Sequence, residues 1–181
     1  MPGSSVANLL LRLDDRQIDI SFPTNRGDPM TSAEPAHETI KFRTVTHVTW
    51  AHSQDIGDVT GHVASLARFS GLAFFLDGSV CAVNFIALTD YTNGAGAFTL
   101  YPILKFDDGS VLCVKSTGTA TVDGAKTHFI GNLVVLGGKG RFEAVQGNGT
   151  LTGTRYTPLS VGADLVSEYT VNVKRHVTAG G

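Results

Sequence analysis

From Thr39 onward the chain alternates. Ile40, Phe42, Thr44, Thr46, Val48 and Trp50 share one parity and Lys41, Arg43, Val45, His47 and Thr49 the other, which predicts a strand with two different faces. Further runs rich in β-branched and aromatic residues follow, divided by glycine-bearing turns. Asp77-Gly78 separates Arg68 to Leu76 from Ser79 to Thr89, where a tight hairpin with two positive-φ positions is expected. Asp107-Asp108-Gly109 joins Ala95 to Phe106 with Ser110 to Thr121, and Asp123-Gly124 precedes Lys126 to Leu136. Strands at about Asn148 to Thr157 and Leu165 to Lys174 bring the count to about eight. That number closes into a barrel whose interior holds side chains or one small ligand, and closure removes exposed edges. The predicted fold is an all-β, eight-stranded antiparallel closed barrel.

The middle strands are apolar on both faces. Leu72, Phe74 and Leu76 stand opposite Ala73 and Phe75, and Val83 and Phe85 opposite Ala82 and Ile86. A wall facing a lumen inside and a subunit or helix outside has that composition, so a homo-oligomer is expected.

Residues 1–38 differ in character. Pro2, Pro23, Pro29 and Pro35 stand among Ser, Thr, Asn and Asp, which reads as a mobile arm before a barrel domain at 39–175 and a short tail at 176–181. Within the arm Val6, Leu9, Leu10 and Leu13 have helical spacing, so the segment is either a lid over the barrel mouth or a plain tail.

Composition narrows the partners. A net charge of -2 over 181 residues, with 14 Lys and Arg residues scattered without any run or basic helix face, argues against nucleic acid and anionic lipid. No apolar run is long enough to span a membrane as a helix, and Leu9-Leu10-Leu11, followed by Arg12, Asp14 and Asp15, is too short for a signal-peptide core. Cys81 and Cys113 lie in apolar runs at no metal-ligand spacing, consistent with two reduced thiols in a cytoplasmic protein. His47, His52 and His62 would need to converge to form a cupin-like metal site, but no acidic residue has the spacing of a fourth ligand; no metal is expected.

The most specific local signal is the run Leu136-Gly137-Gly138-Lys139-Gly140-Arg141-Phe142, followed by Gly147-Asn148-Gly149 and a new strand. No helical pattern follows these glycines, so a phosphate-binding loop is a poor reading. Phe142 is placed to plug one end of the barrel. The run resembles the hallmark loop of the allene oxide cyclase and dirigent superfamily, in which a strand ends in Gly-Gly-x-Gly-x-Phe and resumes after Gly-x-Gly. The resemblance extends more loosely from about Gly61 to Val173. It implies an eight-stranded barrel, commonly trimeric or dimeric, that holds a hydrophobic small molecule in its lumen and steers a ring closure or radical coupling. It also narrows the expected homo-oligomer to a homodimer or homotrimer. The motif is structural, so fold follows from it and residue roles do not.

Polar residues that interrupt apolar strands are the candidates for chemistry, because a buried polar group needs a partner or a ligand. Tyr101, Lys115, Glu168 and His128 are the candidate catalytic residues; Asn84, Phe74, Phe85, Asn132 and Arg155 are the candidate substrate-binding residues. Lys115 and Glu168 form either a lumen ion pair or an ordinary cross-strand pair in solvent. His128 either protonates an enolate or is merely solvated, and Tyr101 and Asn84 either hold a ligand carbonyl or serve core hydrogen bonding. No nucleophile-elbow glycines surround a serine. The expected activity is a cofactor-free isomerase or cyclase acting on a polyene, epoxide or polyketide-like molecule. The alternatives are a noncatalytic lipocalin-like binding protein and an oligomeric module whose lumen is filled by side chains.

Overall fold

The computed structural model describes residues 36–175. The arm before Ala36 and the tail after Arg175, including the question of a lid, lie outside the described residues. Eight antiparallel strands close on themselves in sequence order: β1 (Ala36–Asp55), β2 (His62–Phe75), β3 (Val80–Thr92), β4 (Ala95–Lys105), β5 (Val111–Asp123), β6 (Lys126–Lys139), β7 (Gln146–Arg155) and β8 (Asp164–Arg175). Each strand is linked to the next by a short connection, and β8 returns to pair with β1. Closure uses residues the composition assigns to the arm: His37 and Glu38 stand opposite Lys174 and Val173.

One parity of each strand fills the interior. On β3 the buried set is Cys81, Val83, Phe85, Ala87, Thr89 and Tyr91, with every intervening residue exposed. Phe69 and Phe85, on neighbouring strands, stack at 4.5 Å across the middle of the barrel. Phe98 lies over Gly118 and Gly131, which face each other across β5 and β6; a Cβ on either would press on the end of its ring. The alternation along β1 breaks at a bulge between Val48 and Trp50. Two residues of β1 there oppose one of β2, so Trp50 emerges on the outside, where Arg68 lies 5.6 Å from its ring.

The turns at one end share a design. In Phe75-Leu76-Asp77-Gly78-Ser79 and Phe106-Asp107-Asp108-Gly109-Ser110 the first residue's N–H donates to the serine carbonyl, at 3.0 Å in each. The Asp77 and Asp108 carboxylates accept from the serine N–H groups at 2.9 and 2.8 Å. Only the glycine has positive φ, 84° at Gly78 and 79° at Gly109. The two-position left-handed turn expected at Asp77-Gly78 occurs instead at Asn93-Gly94, with φ of 53° and 82°.

Candidate functional site

The two ends of the barrel are built differently. At the end formed by the 76–79, 106–110 and 140–145 connections, Phe142 is buried as expected, on a short 3₁₀ turn after β6. It joins Phe106 at 5.1 Å, which in turn meets Phe75 at 5.4 Å. Arg141 lies 4.1 Å over the Phe106 ring and donates to Asp108 Oδ2 at 2.8 Å. Arg175 reaches over Phe142 and donates to Glu38 Oε2 at 2.8 Å and to the Arg141 carbonyl at 2.8 Å. The glycines before the plug serve different needs. Gly140 has φ of 60°, which favours glycine, whereas Gly138 is not left-handed and is required because a Cβ there would meet the Val111 carbonyl and Phe142.

The opposite end opens into a cavity of about 270 Å³. Val63, Val122, Ala125, Pro158 and Leu159 supply apolar wall, and Ser53, Ser65 and Asn93 polar rim. At its base are Tyr91 from β3, Thr127 from β6 and Arg155 from β7. Arg155 is 4% exposed; its Nε donates to the Thr157 carbonyl at 2.9 Å and its Nη2 to Thr127 Oγ1 at 3.0 Å. Its guanidinium stands 5.7 Å from the Phe129 ring. Burial pulls the Arg155 pKa down, yet a guanidinium stays charged at neutral pH. Burial likewise pushes the Tyr91 hydroxyl up to about 12, so it keeps its proton and can donate a hydrogen bond. That hydroxyl has no hydrogen-bond partner among the described residues.

One rim of this mouth is latched. His62 donates or accepts at both ring nitrogens, Nδ1 to Asp58 at 2.6 Å and Nε2 to Asp90 at 2.7 Å. The hydrogen bond to Asp90, then that to Asp58, raises the His62 pKa. The Gly61 carbonyl accepts from Asn93 N–H at 2.9 Å, tying the β1–β2 connection to the β3–β4 turn.

Of the residues singled out from the sequence, Arg155 and Phe85 face the interior and only Arg155 lines the mouth. Asn84, Phe74, Tyr101, Lys115, His128, Asn132 and Glu168 stand on the opposite parity and lie on the outer wall. Lys115 and Glu168 form neither a lumen ion pair nor a cross-strand pair. Lys115 is on β5 and Glu168 on β8, with β6 and β7 between them, and the Lys115 ammonium instead sits 5.8 Å from the Tyr101 ring. His128 and Glu168 do share an outer groove, with Arg43, and His128 Nδ1 lies 3.1 Å from Thr154 Oγ1. His47, His52 and His62 do not converge; among the described residues no group of three ligating side chains could hold a metal. Cys81 is buried, with its thiol pushed up to about 11 by burial, and Cys113 is half-buried; both are free. Tyr91 and Thr127 escaped the sequence reading. The parity of Phe85, continued through Ala87 and Thr89, leads to Tyr91 and is the signal that finds it.

No protein-family model and no curated protein sequence matches the chain. Among solved structures it is similar to the pterocarpan synthase dirigent protein PsPTS1, at 15% identity and a TM-score of 0.49 over 81% of this chain and 99% of that one. It is also similar to the pterocarpan synthase dirigent protein GePTS1, at 13% identity and a TM-score of 0.48 over 82% of this chain and 97% of that one. No residue role passes from either to this chain.

Proposed function

We propose that this barrel takes up a hydrophobic small molecule through its open mouth and folds it for an intramolecular isomerisation or ring closure without a cofactor. The observation that supports this is the mouth itself: a mostly apolar cavity with one buried cation and one unpartnered hydroxyl at its base. Apolar walls select a conformer of a flexible molecule, and a few fixed polar groups orient it, which is how a template lowers the entropic part of a barrier. The noncatalytic carrier is the second reading, favoured by one observation. Among the described residues the cavity lining has no His, Asp, Glu, Lys or Cys, so none of its side chains is suited to move a proton at neutral pH.

Native mass spectrometry of the purified chain, followed by release of what it carries and incubation with a linear precursor of the released compound, separates the two. Conversion of the precursor to the ring-closed or isomerised compound supports the enzyme. One compound released unchanged, with no turnover, supports the carrier. If a Val63→Trp variant that fills the mouth retains the same bound compound, the mouth is not the site and both readings fall.

The outer wall supports self-association as part of the same reading. Leu66, Leu72, Phe74, Ile86, Leu88 and Ile103 are exposed across β2, β3 and β4, the strands on which Asn84 and Tyr101 also face outward. Exposed apolar residues shared by three neighbouring strands favour contact with another chain. Light scattering of Ile86→Lys and Leu88→Lys variants checks it: a monomer where the unaltered chain is larger supports the interface, and a monomer in both removes it.

A further inference from the structure

Arg155 is a buried charge that the described residues leave incompletely satisfied. A guanidinium presents five N–H donors. Nε and one Nη2 hydrogen are used by the Thr157 carbonyl and the Thr127 hydroxyl, both uncharged acceptors. The ion pairs among the described residues join His62 to Asp58 and Asp90, Arg141 to Asp108, and Arg175 to Glu38. None involves Arg155. Beside it Tyr91, 6% exposed and lining the same cavity, has a hydroxyl without a partner. Two groups, one charged and one neutral, therefore line one cavity with donors that no acceptor among the described residues meets, the Tyr91 oxygen being itself closed to solvent. Thr44, Thr89 and Ser116 also hold buried hydroxyls without a partner among the described residues, but Tyr91 alone of these lines the cavity beside a buried cation, and a ligand that supplies acceptors there offsets the cost of burying both donors.

We propose that Arg155 and Tyr91 together bind the carboxylate of a compact, apolar monocarboxylic acid that enters through the mouth. This rests on the reading that the mouth is the ligand site, and it names the class of ligand. The charge count favours a monoanion, since Arg155 is the one charged residue of the lining. A phosphate dianion would leave a net negative charge in the barrel. A guanidinium edge matches the two oxygens of a carboxylate, and the Tyr91 hydroxyl adds a third donor. The uncharged wall of Val63, Val122, Pro158 and Leu159 takes the body of the acid, and a cavity of about 270 Å³ limits that body to a compact one. Thr127 accepts from Arg155 and so positions the fork without touching the ligand.

Isothermal titration of the full chain with 4-phenylbutanoate and octanoate, and with their primary amides, tests the proposal. Each amide keeps the body and removes the charge. The acids are expected to bind at least roughly tenfold more tightly than the amides, as a charge-assisted hydrogen bond predicts. Tyr91→Phe should weaken acid binding by roughly tenfold and leave the amide unchanged. In the ligand-free protein the same substitution should leave the thermal midpoint equal or higher, because it deletes only an unpartnered hydroxyl. Arg155→Lys keeps the charge without the fork and should bind the acids more weakly than the unaltered chain; Arg155→Met should abolish the preference for acid over amide. Should Arg155→Met fail to fold, Tyr91→Phe and the acid–amide ratio still decide. Equal binding of acid and amide, unchanged acid binding in Tyr91→Phe, or no binding of either acid overturns the carboxylate anchor. The site of uptake is read separately, by retention of the bound compound in Val63→Trp, so the two failures are distinguishable.

Discussion

The barrel has arginines stacked on phenylalanines at both ends, and the difference between the ends lies in what else those arginines touch. At the plugged end Arg141 and Arg175 cover Phe106 and Phe142 and each has a carboxylate partner, Asp108 and Glu38. Their charges are neutralised and partly solvated, and the aromatic rings beneath them are packed. At the open end Arg155 lies near Phe129 with, among the described residues, only a hydroxyl and a carbonyl for partners. The same residue type on the same kind of ring is a lid where its charge is met and a binding element where it is not. Burial alone does not distinguish structure from function; the state of the counterion does.

The strongest test of this contrast removes the plug. Phe142→Ala should destabilise the protein by about 3–5 kcal/mol in denaturant titrations, the usual cost of deleting a buried phenylalanine. Binding at the mouth should be unchanged in whatever fraction folds. Loss of binding from well-folded Phe142→Ala would show that the two ends are coupled.

Gly138→Val should cost more than ~1 kcal/mol, because its side chain would displace the Val111 carbonyl and the plug. Gly140→Val should cost a similar ~1 kcal/mol or more for a different reason, its left-handed backbone. Urea midpoints of the two variants check both, and an unchanged midpoint for Gly138→Val would mean that the plug end is loosely packed.

The mouth, by contrast, should respond to pH through His62. Donation from both ring nitrogens requires the imidazolium, and its pKa is raised above the ordinary histidine value of 6.5 by Asp90 and Asp58. A raised folded pKa contributes stability that is complete below the unfolded value and disappears as pH rises through the folded one. Thermal melts of the unaltered chain and His62→Gln should therefore differ most below pH 6.5 and converge as pH increases past the raised value. Asp58 has the opposite sign: the His62 hydrogen bond lowers its pKa, so its contribution is lost as pH falls through that lowered value. A difference between the melts that grows on the alkaline side would exclude the latch.

The smallest effects belong to the outer wall. Tyr101→Phe and Lys115→Met should leave stability within about 0.5 kcal/mol and mouth binding unchanged, since both side chains face away from the interior. A loss of ligand affinity in Tyr101→Phe, measured by the same titrations, would place a second site on the exterior.

The strands, the turns and the plug were legible in the sequence because their causes are local. Period-2 alternation defines β1, an Asp-Gly-Ser turn ends β2 and β4, and Gly-Gly-x-Gly-x-Phe terminates β6 with an aromatic ready to fold inward. Which face lines the lumen was not legible, because β2, β3 and β4 are apolar on both sides and hydrophobicity cannot choose between Phe74 and Phe75 or between Phe85 and Ile86. Choosing Asn84 together with Phe85 already conflicted with the strand period, since neighbours point to opposite faces. Arg155 was legible as a polar interruption, but its partners were not. Tyr91, Thr127 and Arg155 come from three strands that meet only when the sheet closes, and Lys115 and Glu168 are separated by the same closure. By itself the sequence determined that this chain forms eight strands and a plugged end; the tertiary structure alone decided which residues are inside, because that depends on the sense in which a two-sided apolar sheet curls.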